Sequence, residues 1–226
     1  MTYLKPRPRA TGIRAVLFDV DGTLVDTADL IADSLAFACG RFLGREYPRE
    51  TYLGLIGRPV VAQMKTLGAG ERLDEMVEAA IEYYERHAGR EREFPGVLDT
   101  LARLAEHDVR LALVTSKQRR ELEPTLERIP LQKYVYTIVT ADDTLRPKPY
   151  PDPIYRALQL VEAPATQALF VGDSPYDMAA GRAAGVATAA ALWGPHPRER
   201  LEPEAPTYWL ERIEEALSLV MATWEA

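Results

Sequence analysis

The chain of 226 residues carries 27 basic against 34 acidic side chains, a formal charge of −7, which argues against nucleic acid or an anionic membrane surface as its main partner. Its apolar fraction of 47% and charged fraction of 27% are those of an ordinary soluble globular protein, long enough to bury one substantial core and a smaller second one. No apolar stretch approaches a membrane span, no signal-peptide core is present, and the single Cys39 lacks an intramolecular disulfide partner, so a cytoplasmic setting is expected.

Residues 1–11, where Lys5, Arg7 and Arg9 interleave with Pro6 and Pro8, read as an extended lead-in with solvated charges. Residues 16–24 then run from a short apolar strand into two carboxylates, a glycine and a hydroxyl. Period-two alternation turns Asp19 and Asp21 to the same side of an extended chain. Two like charges there cost free energy unless a cation, a lysine or a proton compensates them, and a divalent metal with oxygen ligands is the readiest partner.

Asp26 or Thr27 is expected to cap a helix burying Leu30, Leu35, Ala38 and Cys39, which Gly44 ends. Residues 48–70 read as short helical pieces and 71–88 as a second strong helix, so 27–93 reads as all helix. After Phe94-Pro95-Gly96 the pattern alternates. Helices are expected near 98–105, over 119–128, 154–161 and 175–184, and in a tail carrying Ile213, Leu217 and Val220. Strands are expected over 109–115, 137–140, 168–172, 186–190 and 208–210. Such alternation calls for an α/β fold, a parallel sheet with helices on both faces. The chain thus divides into a core, 1–26 with 94–226, and an inserted all-α cap, 27–93, lying over the carboxyl edge of the strands, where ligands of such sheets bind.

Four polar clusters follow the apolar runs: Asp19-Val20-Asp21-Gly22-Thr23, Thr115-Ser116-Lys117, Arg146-Pro147-Lys148-Pro149, and Gly172-Asp173-Ser174-Pro175-Tyr176-Asp177. In this order and context the chain resembles the haloacid dehalogenase (HAD) superfamily, and is most similar to its phosphoglycolate phosphatase-like branch, whose Rossmann-like core carries a helical, C1-type cap. The resemblance implies a Mg²⁺-dependent phosphatase that hydrolyses a small phosphate monoester through an aspartyl-phosphate. Asp19 would be the nucleophile and Asp21 the general acid and base, with Lys148 neutralising the nucleophile and the phosphate. Thr115, Ser116, Lys148 and the backbone near Gly22 would hold the phosphoryl oxygens. Mg²⁺ would be held by Asp19, the main-chain carbonyl of Asp21 and Asp173, with Asp177 acting through water or serving structure alone.

The expected partner is a small phosphorylated metabolite, with the protein a monomer or homodimer. Asp21 argues against dehalogenation, and Lys65, the only cap lysine, is not singled out for Schiff-base chemistry. Arg58 sits where related mutases grip a second phosphate, so it is a possible substrate contact; Gln63 and Lys65 are the other polar cap residues expected near the opening. Thr140-Ala141-Asp142-Asp143 resembles a feature of pyrophosphatase-like members. Inorganic pyrophosphatase and β-phosphoglucomutase-like phosphoryl transfer are the alternatives, and a catalytically silent binding protein is disfavoured. Arg146, His87, His107 and His196 read as solvent, helix-end or loop residues, and Trp193, Trp209 and Trp224 as packing or interface residues.

Overall fold

The computed structural model describes residues 12–225, so the expected lead-in over 1–11 lies outside the described residues. After β1 (Ala15–Phe18) the chain leaves the main sheet through β2 (Val25–Asp26), α1 (Ala28–Leu43), α2 (Arg49–Leu53), α3 (Val60–Thr66), α4 (Leu73–His87) and β3 (Arg92–Glu93). It re-enters through α5 (Val97–Glu106), β4 (Arg110–Val114), α6 (Arg119–Arg128), β5 (Thr137–Val139), α7 (Asp152–Val161), β6 (Ala168–Gly172) and α8 (Pro175–Ala184). It ends with β7 (Ala187–Ala191), α9 (Arg198–Leu201), β8 (Tyr208–Leu210) and α10 (Glu214–Glu225).

Six strands pair in parallel in the order β5-β4-β1-β6-β7-β8. The period of two divides the core between the faces. Val16 and Phe18 of β1 share a cluster with Leu101 and Leu104 of α5 and Leu217 and Val220 of α10. Ala15 and Leu17 pack on the other face with Ile154 and Ala157 of α7 and Ala180 of α8. Both faces being covered, every residue of β1 and β6 is buried, which is why those strands read as unbroken apolar runs. Burying a side chain such as Leu17 or Phe18 contributes about 1.5–3 kcal/mol. The chain runs from β1 to opposite sides for its two neighbours, β4 and β6, so the crevice of this sheet opens at the end of β1.

The inserted helices have an apolar centre of their own, with Leu35, Ala38 and Cys39 of α1 against Met64 of α3 and Met76, Ala80 and Ile81 of α4. Gly44 closes α1 in the left-handed region, with φ of 59°. The segment 27–93 departs from all helix at its end: Arg92 and Glu93 pair antiparallel with Asp26 and Val25, so a two-stranded ribbon closes the base of the insertion. Thr27 stands at the start of α1 but makes no side-chain cap. Its hydroxyl turns instead to Asp21, so the expected cap is replaced by a tertiary contact. Asp152 is the first residue of α7, and its carboxylate accepts from Arg146 Nε at 3.0 Å. Among the described residues no helix is long and apolar enough to cross a membrane.

Candidate active site

Asp19 follows β1 with the same parity as Ala15 and Leu17, which places it over the face that carries α8. Lys148 reaches it there, with Nζ 2.9 Å from Asp19 Oδ1, 2.6 Å from Asp177 Oδ1 and 3.1 Å from the Val114 carbonyl. Asp177 is fixed by the start of α8. Ser174 and Asp177 form a reciprocal capping box, in which Asp177 Oδ2 accepts from Ser174 N at 3.0 Å and Ser174 Oγ at 2.5 Å. Asp173 is wholly buried, with Oδ1 accepting from Thr23 Oγ1 at 2.8 Å and Oδ2 lacking any protein partner.

Three buried carboxylates thus stand at one site with one ammonium group, which bonds to two of them. Burial, then the charge of Asp177, pushes Asp19 up to about 7 against the pull of Lys148. Burial, then Asp177 and Asp19, raises Asp173 well above the usual carboxylate range. Burial alone would lower the pKa of Lys148, but Asp177 and Asp19 outweigh it and hold the lysine charged. Asp19, Asp173 and Asp177 each bring a carboxylate oxygen within 4.8 Å of the others, and an oxygen of Asp173 is bare. A hard divalent cation fits this donor set and its surplus of negative charge. Both oxygens of Asp177 accept hydrogen bonds, whereas Asp173 Oδ2 has no hydrogen-bond partner among the described residues.

Gly22 makes this approach possible. Its φ is +81°, and a Cβ there would lie 2.6 Å from Asp173 Oδ2.

Asp21 is held by groups from outside its own loop. Its Oδ1 accepts from Thr27 Oγ1 at 2.7 Å and from Lys117 Nζ. Burial alone would lower the pKa of Lys117, but Asp21 and Tyr84 more than reverse that effect. Lys117 Nζ also donates to Tyr84 Oη at 3.0 Å and lies 4.6 Å from the centre of that ring. Tyr84 Oη donates onward to Glu91 Oε1 at 2.5 Å, and Glu91 accepts from Thr125 Oγ1 at 2.8 Å and Arg128 Nε at 3.0 Å. Sequence reasoning named Lys117 only as part of its cluster and missed Tyr84 and Glu91 as site residues. Alternation after β4, which turns Thr115 and Lys117 to one side, is the signal that was available for the lysine.

The insertion closes over this edge through backbone contacts. Ser116 Oγ donates to the Gly57 carbonyl at 2.8 Å, and Gly57, with φ of +94°, lies so near Ser174 that a Cβ would meet its Oγ at 2.5 Å. Ser116, expected to hold phosphate, therefore gives its proton to the insertion in this closed form, while Thr115 Oγ1 accepts from Lys117 N at 3.1 Å. His196 lies in a loop, as expected, and is buried there. Its Nε2 lies 3.1 Å from the Ile56 carbonyl, so that nitrogen carries a proton, and burial pushes its pKa below the ordinary histidine value.

A cavity between insertion and sheet is lined by Asp19, Asp21, Arg58, Gln63, Tyr84 and Lys117, among others. Arg58 donates to Thr66 Oγ1 at 2.9 Å and lies 5.7 Å from the Tyr176 ring centre, while Gln63 is buried and bonded to the Leu55 carbonyl. Lys65, expected near the opening, is exposed and does not line the cavity, because α3 turns Gln63 inward and Lys65 to solvent. Trp193 serves packing, donating to the Thr23 carbonyl at 2.9 Å.

A buried carboxylate just after the first strand, a lysine beside it and an aspartate at a later strand end make up one acidic site at the edge of the sheet. A family model described as haloacid dehalogenase-like hydrolase matches residues 16–191, and the chain belongs to that family of enzymes. Among curated relatives, pyrophosphatase PpaX of Anoxybacillus flavithermus is 34% identical over 93% of this chain and 98% of its own. Pyrophosphatase PpaX of Bacillus mycoides is 31% identical over 92% of this chain and 97% of its own. Among solved structures, a "putative phosphoglycolate phosphatase" from Lactobacillus plantarum superposes with a TM-score of 0.84 at 26% identity, covering 92% of this chain and 99% of that one.

Proposed function

We propose that the protein is a Mg²⁺-dependent phosphatase that hydrolyses a small, phosphoglycolate-like phosphate monoester through an aspartyl-phosphate on Asp19. The observation that carries this reading is Asp19 itself, bonded to Lys148 at 2.9 Å, close to the bare oxygen of Asp173, and opening onto the same cavity as Asp21. An oxygen of Asp19 would form a bond to phosphorus as the ester P–O bond breaks, and Asp21 would give its proton to the leaving oxygen. Asp21 would then take a proton from water as that water attacks the acyl phosphate, releasing phosphate and restoring Asp19. Lys148, Thr115, Ser116 and the backbone at Gly22 would hold the phosphoryl oxygens, with Ser116 turning from Gly57 when substrate enters. Asp19, Asp173 and the Asp21 carbonyl would hold the metal, which supplies positive charge against nucleophile and phosphate when bound.

The second reading is hydrolysis of inorganic pyrophosphate, favoured by the PpaX relatives, whose matches span nearly all of both chains. The Asp142-Asp143 feature lends it no support: Asp143 Oδ2 accepts from Thr140 N at 2.7 Å within its own turn, and Asp142 Oδ2 accepts from Arg119 N at 2.8 Å at the start of α6. The deciding experiment compares phosphoglycolate, pyrophosphate and 4-nitrophenyl phosphate with Mg²⁺, and a hexose phosphate with and without a bisphosphate activator. Turnover of the monoesters is expected, with a loss of about a thousandfold or more in Asp19→Asn. Activity surviving that change would sink the nucleophile, whereas preferential turnover of pyrophosphate would install the second reading. Activity on the hexose phosphate that required the bisphosphate would instead point to the mutase.

A further inference from the structure

We propose that Tyr84 is a positioning residue for the acid and base of the reaction: through Lys117 it orients the Asp21 carboxylate, and it does so when the inserted helices lie against the sheet edge. The inference rests on the reading of Asp21 as general acid and base.

The geometry is a continuous chain of hydrogen bonds. Thr27 and Lys117 converge on Oδ1 of Asp21, which sets the plane of the carboxylate and leaves Oδ2 free of both for a leaving oxygen. An ammonium group alone orients a carboxylate loosely, because it can rotate and hydrate. Here Lys117 is buried, and its remaining reach is taken by Tyr84, through a hydroxyl at 3.0 Å and a ring centre at 4.6 Å. The tyrosine has no freedom in return. Its hydroxyl faces the acceptor-only carboxylate of Glu91 at 2.5 Å, so it must donate there and accept from Lys117.

Glu91, with its side chain wholly buried, is held in turn by Thr125 and Arg128 of α6. Every member has its partner, the condition under which a buried polar network imposes one arrangement.

The members come from different parts of the molecule. Asp21, Lys117, Thr125 and Arg128 belong to the sheet and its helices, Tyr84 to α4 of the insertion, and Glu91 to the connection just before β3. Lifting the insertion away would withdraw Tyr84 and leave Lys117 free to swing, so the acid would be aligned only over an enclosed substrate. A clamp that merely fastened insertion to core would need only Glu91 to meet Thr125 and Arg128 of α6. It would not need Tyr84 to meet the lysine that holds the acid.

The test uses the dependence on leaving group, which a fastening role would not alter. Tyr84→Phe keeps the ring and removes the hydroxyl; Glu91→Gln keeps the shape and weakens the anchor, and it gives the same readout should Tyr84→Phe fail to fold. Values of kcat/KM with Mg²⁺ are measured for 4-nitrophenyl phosphate, whose leaving group departs without much help, and phenyl phosphate, whose leaving group needs a proton. That ratio reports the step in which the leaving group departs. Each variant is expected to lose about tenfold more on phenyl phosphate than on 4-nitrophenyl phosphate. Equal losses on both substrates, or no loss on either, overturn the proposal. Asp21→Asn provides the control. If it shows no dependence on leaving group, the acid assignment falls and takes this inference with it; if Asp21→Asn shows that dependence and the other two variants do not, only the inference falls.

Discussion

Two clusters of acids and bases, one at the sheet edge and one on the outer side of the insertion, use similar side chains with opposite energetics. At the edge, Asp19, Asp173 and Asp177 face Lys148, and none of the four is more than 2% exposed. On the outside, Arg49 pairs with Asp29 and with Asp33, and Arg90 pairs with Asp33 at 2.8 Å, with side-chain exposures between 28% and 75%. The outer cluster is balanced, two acids against two bases. The inner one carries an excess of acid in a place where water cannot screen it. The pKa values follow: burial raises Asp19 and Asp173. Burial would raise Asp33 as well, but hydrogen bonds from Arg49 and Arg90 outweigh it and hold that carboxyl below the ordinary range. A cluster that waits for a further cation differs in this way from one that only ties helices together.

The largest expected effect tests the inner cluster at its one cation. Lys148→Met leaves three buried carboxylates with no ammonium, and breaking a buried ion pair from one side costs about 3–5 kcal/mol. Urea unfolding without divalent ions should show that loss at pH 8 and a smaller one at pH 5, where Asp19 is protonated. Equal losses at both values would mean that Lys148 acts by packing alone.

A smaller effect sharpens the contrast through the metal. Asp19 is raised from 3.8 to about 7, so the stability it contributes is fully present below its unfolded pKa and fades as pH rises through 7. On the proposed reading, Mg²⁺ would replace the protons lost over that window. It should therefore raise the melting temperature more at pH 8 than at pH 5. In Asp173→Asn the increment should vanish, while the metal-free protein at pH 8 gains about 0.5–2 kcal/mol from losing one of three crowded, buried carboxyls. An increment that is equal at the two pH values, or that persists in the variant, would remove the metal from the explanation.

Much of the sheet was legible because its signals are local. The strand at 168–172 and the helices at 119–128 and 175–184 have the bounds expected from periodicity, and the strand expected at 186–190 is shifted by one residue. Asp19, Lys148, Asp173 and Asp177 do meet, since each follows a strand at one edge of a parallel sheet. What escaped depends on contacts between distant segments. Thr27 has the type and place of a helix cap, yet its hydroxyl goes to Asp21. Glu91 lies in the run Arg90-Glu91-Arg92-Glu93, which reads as a solvated charge run until Tyr84, Thr125 and Arg128 enclose it. His196 carried no sign that its loop would pass beneath the Ile56 carbonyl. Even Lys65 differs from Gln63 only by which side of a short helix faces inward, and seven residues of α3 give a weak period from which to judge.

The smallest expected effect belongs to the outer cluster. Asp33→Ala removes the acid shared by Arg49 and Arg90, but the partners stay hydrated and the pair energies are screened. The loss should stay within about 1 kcal/mol at pH 7 and shrink in high salt. Because the folded pKa of Asp33 is depressed, its contribution is present above the unfolded value and disappears as pH falls through the folded one, so the gap between wild type and variant should start to shrink below about pH 4 and close only below the folded value. Turnover should not change, since the cluster lies apart from the cavity that holds Asp19 and Asp21. A larger loss, or a change in kcat/KM, would show that the tie between α1, α2 and the segment before β3 sets how the insertion sits over the site. The two clusters would then be parts of one device, with the outer one governing the distance across which Tyr84 reaches Lys117.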